Sequence, residues 1–200
     1  MSSTIDPLDT HIRDAVASRY SVIGQDPAAE VVIPVGRSWA ERLGYPASLI
    51  ESVPVSALAS FTGIGAPALI ADLAPGDQVL DLGCGAGLDT VIIARWVAPH
   101  GHVHAVDLAP GMIAAARESV RAAGVHNVTV WQAFAEHLPL PDASIDVAVV
   151  NGLFNLAPDK IAVASELGRV IRPAGRLLGA EIVITDDRLP QSFDPESWFR

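Results

Sequence analysis

The run Val79-Leu80-Asp81-Leu82-Gly83-Cys84-Gly85-Ala86-Gly87-Leu88 constrains this chain most: an apolar strand leads into a turn with three alternate glycines, then into a helix. Glycine lets the backbone turn tightly and approach a ligand, and the following helix start offers free N–H groups at its positive dipole end. A nucleotide-like ligand is expected there. The alternation continues downstream. Strands are predicted at Gln78–Leu82, His102–Asp107, Val128–Gln132, Ile145–Val150 and Arg176–Thr185, and helices at Leu88–Val97, Gly111–Ala123 and Pro158–Ile171. Strands apolar on both faces, alternating with amphipathic helices, predict an α/β fold around a doubly wound, mainly parallel sheet. Gly124, Pro158, Pro173 and Gly175 punctuate the helices as starts and stops.

Residues 1–75 carry repeated Pro and Gly breaks and no strand alternation, which predicts short helices capping one end of the sheet as a lid. Residues 76–200 form the core, and 200 residues suit one structural domain. No run of eighteen or more apolar residues appears, and the acidic start MSSTIDPLDTHIRD does not read as a signal peptide, so a soluble cytoplasmic protein without membrane contact is expected. A net charge of −10 repels phosphate backbones, which argues against nucleic acid as a partner. Arg169, Arg172 and Arg176 cluster near a helix end, where cations more often complement the helix C-terminus. Cys84 is the single cysteine, so neither an internal disulfide nor a cysteine metal centre is expected.

Asp107 ends the second predicted strand 20 residues past Gly87, the place for an acid that accepts hydrogen bonds from ribose hydroxyls. Glycines at 83, 85 and 87 with Leu88 depart from the dinucleotide pattern G-x-G-x-x-G, which weakens a pyrophosphate reading. The acid Asp81 in the same motif suits a cation and repels a pyrophosphate.

Asp81-Leu-Gly-Cys-Gly-Ala-Gly87 resembles the first motif of class I S-adenosylmethionine-dependent methyltransferases. Asp107-Leu-Ala-Pro-Gly-Met112, Ala135-Glu136-His137-Leu138-Pro139, Asp146-Val-Ala-Val-Val-Asn151 and Arg169-Val-Ile-Arg-Pro-Ala-Gly-Arg176 resemble the later motifs in order. The resemblance implies a Rossmann-like fold and S-adenosylmethionine as cofactor, held by Asp81, Gly83, Cys84, Gly85, Gly87, Asp107, Leu108, Met112, Phe134, Ala135 and Asn151. Met112 and Phe134 would enclose adenine. Within the class, residues 40–198 are similar to arsenite methyltransferases, through Leu43–Pro54, Gly63-Ile-Gly-Ala-Pro67, Asn151–Lys160 and Ile182–Pro190. The positions matching that subgroup's arsenic-binding cysteines hold Ile64 and Gly152. Soft trivalent arsenic needs several thiolates, so a small-molecule acceptor other than arsenite is expected, against a wall that includes Tyr20, Ile64 and Gly152.

Two departures from the class matter. Phe134 replaces an acid that hydrogen-bonds adenine in many relatives, exchanging a polar contact for an aromatic face. Only Asp186–Arg200 follow the fifth strand, so the class's C-terminal β-hairpin is expected to be missing and Arg176–Thr185 to be an open apolar edge. A homodimer, a partner subunit or a truncated product would each account for that edge. The competing reading is a catalytically inactive, methyltransferase-like subunit completed there by a partner. No residue is assigned as catalytic and none as a metal ligand. His100, His102 and His104 share a strand face but read as a solvated strand start. Glu136 and His137 fit either a general base or ordinary loop contacts, and Trp39 either a pocket wall or packing.

Overall fold

The computed structural model describes residues 7–26 and 33–183. Five parallel strands run in the order β3-β2-β1-β4-β5: β1 (Gln78–Leu82), β2 (His102–Asp107), β3 (Val128–Gln132), β4 (Ile145–Asn151) and β5 (Ile171–Ala180). The chain steps outward from β1 to β3, then crosses back to β4 on the other side. That reversal parts the loops after β1 and β4 and opens a crevice at their carboxyl ends. The central strands are buried along almost their whole length, whereas β3 and β5 are only part-buried, as their edge positions require. This is the doubly wound, Rossmann-like arrangement expected from the alternation.

Helices α5 (Leu88–Val97), α6 (Pro110–Ala123) and α7 (Lys160–Val170) connect the strands. α7 begins two residues after Pro158, because the Asp159 carboxylate accepts the Ala162 N–H at 2.8 Å and takes the cap. β5 begins at Ile171, before the expected Arg176: Ile171 pairs with Ile145, the chain bulges with Ala174 at φ 66°, and the ladder resumes at Arg176 opposite Val147. Thr185 and the tail Asp186–Arg200 lie outside the described residues.

The cap differs from the expected set of short helices. α2 (Arg37–Arg42), α3 (Ala47–Ser52) and α4 (Val55–Ala59) are short, but α1 (Pro7–Gln25) is one helix of 19 residues. No glycine or proline interrupts it between Leu8 and Ile23, and Val16, Tyr20 and Ile23 fall on one face at helical spacing. α1 lies across α6. A Cβ on Gly111 would meet the Ser21 carbonyl oxygen at 2.2 Å, and one on Gly24 would meet the Gly111 carbonyl carbon at 2.5 Å. Two glycines thus let the helix backbones touch, and that contact brings the N-terminal half of α1 over the ends of the strands.

The core lies on both faces of the sheet. Leu80, Leu82, Val106, Ala148 and Val150 pack with Val163 and Leu167 of α7, and Val79, Val103, Val147 and Val149 pack with Ile93, Ala94 and Val97 of α5. The short cap helices cover α5 through Ile50, Leu58 and Phe61 against Leu88, Val91 and Ile92.

Candidate functional site

A cavity open to solvent at its mouth occupies the crevice beyond β1, β2 and β4. Gly83 and Gly85 form its floor, with φ of 79° and 52°, backbone shapes that favour glycine. A Cβ on Gly85 would meet nothing within 4 Å, so the turn presents bare backbone to open space. Asp107 lines one side: its Oδ2 accepts the Gly85 N–H at 2.9 Å and its Oδ1 the Ala109 N–H at 2.8 Å. Leu108, Phe134 and Ala135 form the next wall, and Phe134 remains 48% exposed. The Arg13 guanidinium stands 5.4 Å over that ring and donates to Glu136 at 2.9 Å, which clasps α1 to the loop after β3. Val16 and Tyr20 of α1 close the roof.

A second, smaller hollow shares Thr62, Gly83, Gly85 and Asn151 with the first and reaches Asp81, Cys84 and Asp89. Asp81 and Asp89 are both buried. The Thr90 hydroxyl donates to Asp81, and Asp89 accepts from the Tyr45 hydroxyl at 2.7 Å and from Asn151 Nδ2 at 3.3 Å. Burial, and for Asp81 the charge of Asp89, raises these carboxyls above the usual range, Asp81 to about 7 and Asp89 to about 6. Asp107 is raised too, chiefly by burial. Among the described residues, no ion pair reaches any of the three. A buried carboxylate pair without a cation favours a ligand that brings one.

The structure gathers most residues singled out in the sequence. Gly83, Gly85, Asp107, Leu108, Phe134, Ala135, Asn151, Tyr20 and Gly152 line the large cavity, and Asp81 and Cys84 line the smaller. Ile64 packs on Gly152, whose added Cβ would lie 3.4 Å from the Ile64 side chain. Like Ile64, two further positions lie off both hollows. Met112 is fully buried with Ile23, Ala86 and Ala109 behind the wall, and Gly87 starts α5 at φ 91° with Ala116 of α6 against it. Cys84 is buried, and burial with the nearby Asp107 charge raises its thiol well above the usual range.

Other constellations are satisfied locally. Arg169 bonds Glu166, Asp142 and the Leu138 and Leu140 carbonyls, Arg172 pairs with Asp146, and Arg176 donates to the Asp72 carbonyl. They form no free basic stripe. His102 bonds the Thr129 hydroxyl at 2.8 Å, with the His104 ring 4.9 Å away. No group of three metal-ligating side chains occurs among the described residues. Trp39 donates to the Gly63 carbonyl at 2.7 Å and so holds the turn beside the pocket. Asp89, Arg13, Val16, Thr62, Leu153 and Leu156 are among the site residues that sequence reasoning missed. Asp89 reads there as an ordinary first-turn helix acid, and its partner Tyr45 is 44 residues away.

A family described as "Methyltransferase domain" matches residues 73–198. An arsenite methyltransferase of Halobacterium salinarum is 40% identical over 194 residues, covering 90% of this chain and 49% of that protein. A demethylmenaquinone methyltransferase of Listeria welshimeri is 38% identical over 103 residues, covering 51% of this chain and 43% of its own. Among solved structures, the arsenic(III) S-adenosylmethionine methyltransferase of Chlamydomonas reinhardtii superposes with TM-score 0.54 at 32% identity, over 73% of this chain and 48% of that one. A SAM-dependent methyltransferase from Aquifex aeolicus superposes with TM-score 0.51 at 28% identity, over 68% and 67%. This chain spans about half the length of the curated relatives it matches. With a family match over well more than half its length and the same doubly wound sheet, the chain belongs to the methyltransferase-domain family.

Proposed function

We propose that this chain binds S-adenosylmethionine across the ends of β1, β2 and β4 and transfers its methyl group to a small-molecule acceptor other than arsenite. The observation that carries the reading is the buried pair Asp81 and Asp89, which no ion pair reaches among the described residues, beside a glycine turn open at Gly85. Such a site fits a ligand cationic at one end and nucleoside at the other. When bound, this cofactor supplies a methyl group already activated on a cationic sulfur, so alignment can provide much of the rate without a dedicated acid or base.

The chain's own residues divide the work of holding it. Asp81 and Asp89 would take the cationic end, Gly83 and Gly85 the close backbone approach, and Asp107 the ribose diol. Leu108, Phe134 and Ala135 would flank adenine. The acceptor would stand against Tyr20 and Gly152, with Ile64 packed on Gly152, where Leu153 and Leu156 help exclude water. Cys84, buried and poorly ionised, offers one thiol where arsenic chelation needs several. A cytoplasmic setting, in which that thiol stays reduced, goes with this reading.

Among the described residues the outer edge of β5 pairs with no strand, and Leu177 on it is 46% exposed. That edge supports a second reading, a non-catalytic subunit whose sheet is extended by a second copy or a partner chain.

Calorimetric titration with S-adenosylmethionine and S-adenosylhomocysteine, with Asp107→Ala alongside, tests the proposal. Micromolar binding that Asp107→Ala loses is expected. Absence of binding at millimolar ligand refutes the cofactor reading and favours the subunit.

A further inference from the structure

The turn at residues 62–65 borders the crevice through Thr62 and Gly63 and packs Ile64 on Gly152, and side chains from β4, α2 and the loop after α2 grip it. Asn151, at the end of β4, accepts the Ile64 and Gly65 N–H groups on Oδ1 at 2.9 and 3.1 Å and donates Nδ2 to the Gly65 carbonyl at 2.9 Å. The Tyr45 hydroxyl lies 3.5 Å from the same carbonyl, and Trp39 holds Gly63. The fit leaves no slack: a Cβ on Gly63 would stand 2.5 Å from Asn151 Nδ2, and one on Gly65 2.5 Å from the Ala180 Cβ.

The same two donors also serve Asp89. Tyr45 has one hydroxyl proton, shared between Asp89 at 2.7 Å and the Gly65 carbonyl at 3.5 Å, and Asn151 Nδ2 bridges Gly65 and Asp89. An ionised Asp89 accepts from both and fixes their orientation. A protonated Asp89 keeps one acceptor oxygen and carries a donor on the other, so Tyr45 and Asn151, which bond different oxygens, can no longer both be fully accepted and one of them is loosened. Which form it holds depends on the neighbouring Asp81 charge and on whether a cation stands between them.

We propose that Asp89, Tyr45 and Asn151 are positioning residues that tie the turn at 62–65 to the charge in the cofactor site, so that the acceptor wall is set once a cation is held beside Asp81 and Asp89. This rests on the methyltransferase reading and adds an order to it: cofactor first, acceptor second. Asp89 is assigned no contact with the acceptor. It acts through Tyr45 and Asn151.

The Ile64 and Gly65 amides, as the donors to Asn151, report the effect directly. Their hydrogen exchange is measured in the full chain, free and saturated with S-adenosylmethionine or S-adenosylhomocysteine, with saturation established calorimetrically. Ligand is expected to slow both amides by about tenfold, the scale of one hydrogen bond to a charged group. Asp89→Asn, which keeps the shape and removes the charge, is expected to bind more weakly and to lose that slowing at saturation. Should Asp89→Asn fail to fold, Tyr45→Phe removes one donor and is expected to diminish the slowing. A purely structural role predicts equal protection with and without ligand, and that result, or full slowing in Asp89→Asn, overturns the inference while leaving the cofactor reading intact. Failure to bind either ligand removes both.

Discussion

At the scale of single residues, Asp107 holds two loads at once. Its oxygens accept the Gly85 and Ala109 N–H groups, which shapes the glycine turn and the start of α6, and the same carboxylate lines the cavity where a ribose diol would lie. Asp107→Ala therefore leaves two backbone donors without their partner and removes the ribose contact as well. Asp107→Asn is the milder change, since the amide loses the charge and keeps one acceptor oxygen, but its NH2 faces the other backbone donor, which then goes unpaired. A hydrogen bond to a charged group contributes about 1.5–3 kcal/mol, so Asp107→Asn is expected to weaken S-adenosylmethionine by roughly 10- to 150-fold and to lower the melting temperature by less than Asp107→Ala does. Asp107→Ala is expected to weaken it at least as much and to lower the melting temperature by several degrees. Calorimetry and thermal unfolding on both variants check the split. Equal affinity for wild type and Asp107→Asn would remove Asp107 from the ribose site.

At the scale of elements, the crossing of α1 over α6 places the roof of the cavity, and it depends on glycine because the backbones touch. Gly111→Ala puts a methyl group 2.2 Å from the Ser21 carbonyl oxygen, backbone against backbone, where no side chain can swing away. Overpacking of this kind costs about 1–3 kcal/mol, and for a chain of 200 residues each kcal/mol lowers the melting temperature by about 2–4 °C. Displacing α1 also lifts Arg13 off Phe134, so faster ligand dissociation in stopped-flow is expected together with the lower melting temperature. Gly168→Ala, inside α7 with nothing within 4 Å of its Cβ, is the control expected to leave ligand dissociation unchanged and to raise the melting temperature slightly rather than lower it. The strands around β1, with α5 and most of α6, were legible in sequence because apolar runs and glycine punctuation coincide there. α1 was not, since its buried positions Val16 and Ile23 sit among polar residues and its packing partner is a bare backbone 90 residues away. The same limit explains Met112: motif position places it at the start of α6, but only the crossing with α1 decides that its side chain points into the core.

For the whole molecule, the buried acids connect stability, charge and ligand. Asp81 and Asp89 have folded values raised toward neutrality, above the usual unfolded carboxylate, so between about pH 4 and 7 the folded protein binds more protons than the unfolded chain. Their contribution to stability therefore falls as pH rises through that window. His102 and His104 act the other way: burial lowers their values, the unfolded chain holds the extra proton, and stability rises with pH below the ordinary histidine value. The melting temperature of the free protein sums these opposing slopes and does not isolate the site. Its difference with and without ligand does, because neither histidine lines the crevice and their terms cancel. A cation beside Asp81 and Asp89 favours their ionised forms and offsets a penalty that grows with pH. The rise in melting temperature on adding saturating S-adenosylmethionine is therefore expected to be larger at pH 7 than at pH 5, with Asp81→Asn flattening the difference. A shift that is constant or larger at pH 5 would mean that the bound group does not meet these carboxylates, and the cationic end would have to lie elsewhere in the crevice.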